Sequence, residues 1–163
     1  MSAFSDSPSL TLAAVSDQLA LAVEQAAHSV VAVHARERLA STGVHWRDGL
    51  IVTTAATVRR DAGIEVTLPS GERVSATLVG RDMTSDIALL RLDGAHALAP
   101  ATIGNAATLR PGHLVLAVAR LDASGPRVSF GAVSSVGGPW RSWKGGEYTR
   151  RVQSGLQLYP GFG

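Results

Sequence analysis

The sequence predicts an all-β fold preceded by one amphipathic helix, and three observations carry that expectation. The 163-residue chain holds 17 glycines and seven prolines but only 17% charged residues, a turn-rich composition that suits short strands better than a helical bundle or a disordered tail. From about residue 28 onward, apolar residues alternate or cluster in short runs separated by turn signals. Only the segment before that point has helical periodicity. With 45% hydrophobic residues, the chain is long enough to fill the core of one ordinary domain or of two small barrels.

The helix is expected from about residue 9 to 27. Ser7 followed by Pro8 reads as an N-cap with proline at the first helical position, and Leu12, Val15, Leu19, Val23 and Ala26 recur at helical spacing. This helix is expected to lie as a lid on a β domain. The period changes at His28, where Val30, Val31 and Val33 form a β-branched cluster. Ile64, Val66 and Leu68 alternate with Glu65 and Thr67, Leu68-Pro69-Ser70-Gly71 offers a turn, and Val74, Ala76 and Leu78 alternate again. That pattern predicts a hairpin with one buried face. Ile87 to Leu92 reads as a strand buried on both sides for part of its length. After Arg110-Pro111-Gly112, strands are expected at Leu114–Val118 and Val128–Val133, then a long polar loop over 137–146, then strand character from Tyr148 to Leu158. The organisation predicted is an N-terminal segment (1–28), a first β-barrel (29–105) and a partial second β-barrel (106–163).

Charge and composition exclude several function classes. A net charge of +2 is too small a surplus to point to nucleic acid. The chain has no cysteine, so disulfides, thiolate chemistry and cysteine metal sites are ruled out. No His-Glu-x-x-His spacing or paired-carboxylate motif appears, and no metal or other cofactor is expected. The first residues carry no positive cluster, and no apolar run approaches the roughly 20 residues that cross a bilayer. The expectation is a soluble, cytoplasmic protein without membrane partners.

Several segments then arrive in an informative order. Gly49-Leu50-Ile51-Val52-Thr53-Thr54-Ala55-Ala56-Thr57-Val58 is followed by Val79-Gly80-Arg81-Asp82 and Thr84-Ser85-Asp86-Ile87-Ala88-Leu89-Leu90. Arg110-Pro111-Gly112-His113, Gly131-Ala132-Val133-Ser134-Ser135-Val136 and Tyr159-Pro160-Gly161-Phe162-Gly163 complete the series. Together they resemble the trypsin-like serine proteases of the HtrA (DegP-like) branch, from about residue 28 to the end. The resemblance implies a double β-barrel whose second barrel is incomplete. It implies that Ala56 stands where the family has the catalytic histidine, that Asp86 is the retained triad aspartate, and that Gly163 stands at the serine. It also implies an oxyanion-hole-like pair of amides at Gly161 and Gly163.

Serine hydrolysis needs a hydroxyl beside a base, a carboxylate that fixes the base's tautomer, and donors aimed at the oxyanion. Alanine accepts no proton and glycine offers no oxygen. The other histidines, His28, His34, His45, His96 and His113, lie outside the turn where the base belongs. The expectation is therefore a pseudoprotease acting as a peptide-binding or regulatory module on a protein or peptide partner, with a partner or oligomer completing the second barrel. The alternative is a truncated or altered portion of an active HtrA-like serine endopeptidase. Asp86 is expected to hydrogen-bond backbone near Ala56. Trp140-Arg141-Ser142-Trp143-Lys144 reads as a surface loop anchored by a tryptophan, and Arg59-Arg60 and Arg150-Arg151 read as solvated charges that discourage edge pairing.

Overall fold

The structure is a computed structural model that describes residues 11–162. Helix α1 spans Leu12–Ala27, and the hydroxyl of Thr11 caps it by accepting from the Ala14 N–H at 3.2 Å. The expected cap at Ser7-Pro8 lies outside the described residues. Val15, Leu19, Val23 and Ala26 are half-buried on one face while Leu12 is exposed, so the apolar stripe begins one turn later than its spacing suggests.

Six strands follow: β1 (Val30–His34), β2 (Ser41–Arg47), β3 (Leu50–Thr54), β4 (Ile64–Thr67), β5 (Arg73–Asp82) and β6 (Ile87–Leu92). They close into an antiparallel barrel in the order β1-β2-β3-β6-β5-β4, β4 returning to pair with β1. The alternation in the sequence explains the closure, because one face of each strand is apolar and a closed sheet buries it without leaving an edge. Val31, Val33, Ile51, Ile64, Val66 and Leu90 fill the interior. Each such side chain contributes about 1.5–3 kcal/mol by leaving water. Gly43 is required there: a Cβ at its position would sit 2.6 Å from Ile51 Cγ2 and 2.8 Å from Val33 Cγ2.

The hairpin expected at 64–78 is β4–β5, turned by Gly71 at φ 88° with its N–H donating to the Leu68 carbonyl. Strand β5 runs four residues beyond Leu78, because a bulge between Leu78 and Gly80 lets it bend with the barrel and keep pairing with β6. Strand β6 alternates between buried and more accessible positions, with Leu89 half-buried, rather than being buried on both faces.

The second half holds β7 (Leu114–Arg120), β8 (Pro126–Gly137), the two-residue strands β9 (Trp140–Arg141) and β10 (Glu147–Tyr148), and β11 (Arg151–Ser154). Strands β11, β8 and β7 form a three-stranded sheet, which does not close among the described residues. The segment expected as a polar loop holds the β9–β10 hairpin, and the strand expected from Tyr148 to Leu158 is split: Tyr148 belongs to β10, β11 covers Arg151–Ser154, and the chain leaves the sheet after the Gly155 N–H donates to the Ala132 carbonyl at 2.9 Å.

A buried arginine ties the halves together. Arg120, at the end of β7, sends Nε to the Val30 carbonyl at 2.8 Å and Nη2 to the Ala27 carbonyl at 3.3 Å. Burial pulls its pKa below the usual arginine value, and carbonyls at the C-terminal end of α1 suit the cation that remains. Among the described residues no helix is long and apolar enough to cross a membrane.

Candidate functional site

The site is built from two turns of the first barrel facing each other. One is the 3-10 turn Ala55–Thr57 that follows β3. Thr57 stabilises it, donating its hydroxyl to the Thr54 carbonyl at 2.9 Å while the two threonine hydroxyls lie 2.9 Å apart. The other is the tight connection from β5 to β6. Asp82 organises it: Oδ1 accepts from the Thr84 N–H at 2.8 Å, and Oδ2 accepts from the Ser85 hydroxyl at 2.7 Å and its N–H at 3.2 Å. These bonds, the Ser85 hydroxyl first, hold the Asp82 pKa down at about 2.

The second turn delivers Asp86 to the first. Asp86 has φ 58°, a left-handed conformation that aspartate tolerates better than most residues. Its carbonyl accepts from the Ala55 N–H at 3.1 Å and its Oδ1 from the Ala56 N–H at 2.9 Å. Half-buried Asp86 thus holds its carboxylate against the backbone of Ala56, the residue expected at the base position, whose methyl is exposed. A carboxylate so placed orients a turn; with a methyl group beside it there is no imidazole for it to polarise.

The β9–β10 hairpin leans on the same turn, the Tyr148 hydroxyl donating to the Thr84 carbonyl at 3.3 Å. Trp140 stacks on Tyr148 with centroids 4.9 Å apart, its Nε1 donates to the Arg150 carbonyl, and the Arg151 guanidinium lies 5.6 Å over its ring. The anchoring tryptophan is therefore Trp140, while Trp143 is 91% exposed.

Gly161 is buried at φ 101°. Its carbonyl accepts from the Thr42 hydroxyl at 2.7 Å, and the Thr42 carbonyl in turn accepts from the Thr53 hydroxyl at 2.7 Å. Two hydrogen bonds therefore join the strand that enters the Ala56 turn to the segment that precedes Phe162. Gly163, expected as the other half of an oxyanion-hole-like pair and as the serine position, lies outside the described residues.

None of the five histidines is in hydrogen-bond contact with Asp86. His28 Nδ1 is 2.7 Å from the Glu24 carbonyl, and His96 Nε2 is 2.8 Å from that of Asp93. His34 Nε2 is 2.9 Å from the Thr67 hydroxyl, with a pKa lowered chiefly by burial. His45 is buried, its Nε2 accepting from the Gly49 N–H, and His113 is half-buried at the start of β7. Among the described residues no cluster of three or more His, Cys, Asp or Glu side chains forms a metal site.

The order of these turns, barrel first and open sheet second, has a counterpart among known proteins. A profile of the trypsin-like peptidase domain matches residues 41–163. The chain belongs to that family. Its relatives put it on the HtrA side: it is 36% identical over 92 residues to the mitochondrial serine protease HTRA2 of Bos taurus, covering 56% of this chain and 20% of that protein. It is 32% identical over 114 residues to a probable periplasmic DegP-like serine endoprotease of Pseudomonas savastanoi pv. phaseolicola, covering 70% of this chain and 23% of that one. The HtrA-type chain thus spans about a quarter or less of the length of these relatives. The crystal structure of Deg5 shares its fold, with a TM-score of 0.74 at 22% identity, over 90% of this chain and 77% of that one.

Sequence reasoning missed the parts of the site that come from far along the chain. Tyr148 meets Thr84 across 64 positions and Thr42 meets Gly161 across 119. The aromatic pair Trp140 and Tyr148, flanking a glycine-rich turn, was the available signal for the hairpin.

Proposed function

We propose that this HtrA-type domain is a pseudoprotease that binds extended peptide segments without cleaving them. The observation that carries the reading is the pairing of Asp86 Oδ1 with the Ala56 N–H: the aspartate has its structural partner and lacks its chemical one. Glycine at position 163 removes the oxygen as well, and loss of triad members lowers rates by about 10⁴ to 10⁶.

Peptide binding is supported by the open sheet. All four residues of β11 are exposed and, among the described residues, one of its edges has no strand partner, which suits addition of an extended strand through main-chain hydrogen bonds. Leu114, Val128, Phe130 and Val152 leave apolar surface on the same sheet, which favours a partner chain that completes it.

The test uses the purified chain with a serine-directed fluorophosphonate and an unfolded protein substrate, alongside fluorescence anisotropy with labelled unstructured peptides. The expected result is no label, no cleavage and saturable peptide binding. Labelling with turnover would overturn the pseudoprotease reading, restoring an active endopeptidase as the better account. Absence of any peptide binding would remove the module reading.

A further inference from the structure

A groove of about 900 Å³ opens beside the Ala56 turn, lined by Arg36, Glu37, Arg38, Leu39, Arg59 and Arg60. Two loops form it, the β1–β2 connection and the residues that leave the Ala55–Thr57 turn. Backbone and side chain clip them together: the Arg59 N–H donates to the Ala35 carbonyl at 3.0 Å, and Arg60 Nη2 donates to the Arg36 carbonyl at 2.8 Å. Arg36 is held by the Leu39 and Ala40 carbonyls at 2.6 and 3.3 Å. The doublet Arg59-Arg60 is exposed to solvent, as expected, and also forms one wall of the groove.

The cations in this groove are left without counter-charges. Among the described residues none of the four arginines makes a salt bridge. Asp61, next to Arg60 in sequence, is already taken by Arg81 at 2.9 Å, and the one carboxylate in the lining is Glu37. Arg36 and Arg60 are fixed by neutral carbonyls, which orients their guanidinium groups without neutralising them. Leu39, 38% exposed, adds an apolar contact.

We infer that this groove docks an acidic peptide segment, whose Asp or Glu carboxylates pair with Arg36, Arg38, Arg59 and Arg60. The occupant rests on the peptide-binding reading above; the charge complementarity is independent of it. Guanidinium forks match carboxylates two bonds at a time. A nucleic acid fits less well, because it needs a longer track of cations, and Glu37 and the Arg81–Asp61 pair bound this one.

The experiment measures binding of a blocked glutamate-rich peptide and of its glutamine counterpart to the full chain, at low and high salt. The glutamate peptide is expected to bind more tightly, with an advantage that shrinks as salt rises. Arg38 and Arg59 side chains make no hydrogen bond among the described residues, so Arg38→Gln/Arg59→Gln leaves the fold intact by circular dichroism. It should weaken the glutamate peptide about three- to tenfold and leave the glutamine peptide unchanged. Glu37→Gln should strengthen the glutamate peptide.

If the two peptides bind equally and neither variant separates them, the groove assignment is wrong while the peptide-binding reading stands. If neither peptide binds, both fall. Arg38- and Arg59-dependent capture of a single-stranded oligonucleotide, or of vesicles containing phosphatidylglycerol, without peptide binding would overturn the assignment in favour of a phosphate-bearing partner.

Discussion

Replacing Thr42 by valine should loosen the segment around Gly161 from the first barrel. Valine keeps the shape and removes a buried hydroxyl that donates to the Gly161 carbonyl at 2.7 Å and accepts from the Arg120 N–H at 3.2 Å. Each buried group left unpaired costs about 1–3 kcal/mol. With two such groups and some relaxation, the loss is about 3 kcal/mol, or roughly 6–12 °C in Tm for a chain of this size. The assay is a calorimetric melt together with limited chymotrypsin digestion, because Leu158 is exposed near the anchored glycine and cleavage after it reports release. Thr42→Ser keeps the hydroxyl and should melt near the wild type. Gly161→Ala attacks the same junction from the other side, since its Cβ would fall 2.3 Å from Leu121 Cδ2 at φ 101°. Combined with Thr42→Val it should add little. A Thr42→Val protein that melts with the wild type and is cleaved after Leu158 no faster than the wild type refutes the idea that this hydroxyl holds the two halves together.

Asp86→Ala should lower stability by about 1–2 kcal/mol, a fall of roughly 2–8 °C, because the Ala56 N–H loses a charged acceptor; Asp86→Asn, which tolerates φ 58° and keeps an oxygen, should lose less, and equal melting of all three proteins would count against the contact. His34 gives a pH dependence. Burial and the Arg73 charge lower its pKa below 6.5, outweighing Glu65 and Asp122, so the unfolded chain binds its proton more readily. Stability should therefore be full above the unfolded pKa and decline as pH falls below it toward the lowered folded value. A melt series across that range should show a steeper decline for the wild type than for His34→Gln, and parallel curves would rule the contribution out.

What could be read in the sequence was whatever is local. The β4–β5 hairpin follows from alternation on both sides of Pro69-Ser70-Gly71, and the backbone at Gly71 does what a glycine there allows. The Asp86 contact follows from the order of two short motifs, each rigid enough that their juxtaposition travels with the barrel. Helix α1 begins at Leu12 behind the Thr11 cap rather than near residue 9, since serine and threonine carry the same cap chemistry and spacing alone does not choose between them. The β9–β10 hairpin was missed because two-residue strands have no period to detect; stacking of Trp140 on Tyr148 defines it. The arginine groove was half visible. Arg59 and Arg60 stood out as a doublet, but their meeting with Arg36 and Arg38 depends on barrel closure.

At the junction of Asp86 with Ala55 and Ala56, a single residue supplies both acceptors that a neighbouring turn needs, one from its main chain and one from its side chain. Neither bond involves the atoms beyond Cα of position 56, whose side chain projects outward. The geometry of the scaffold is thereby independent of that side chain. The carboxylate of Asp86 can thus serve the fold whatever side chain stands at position 56.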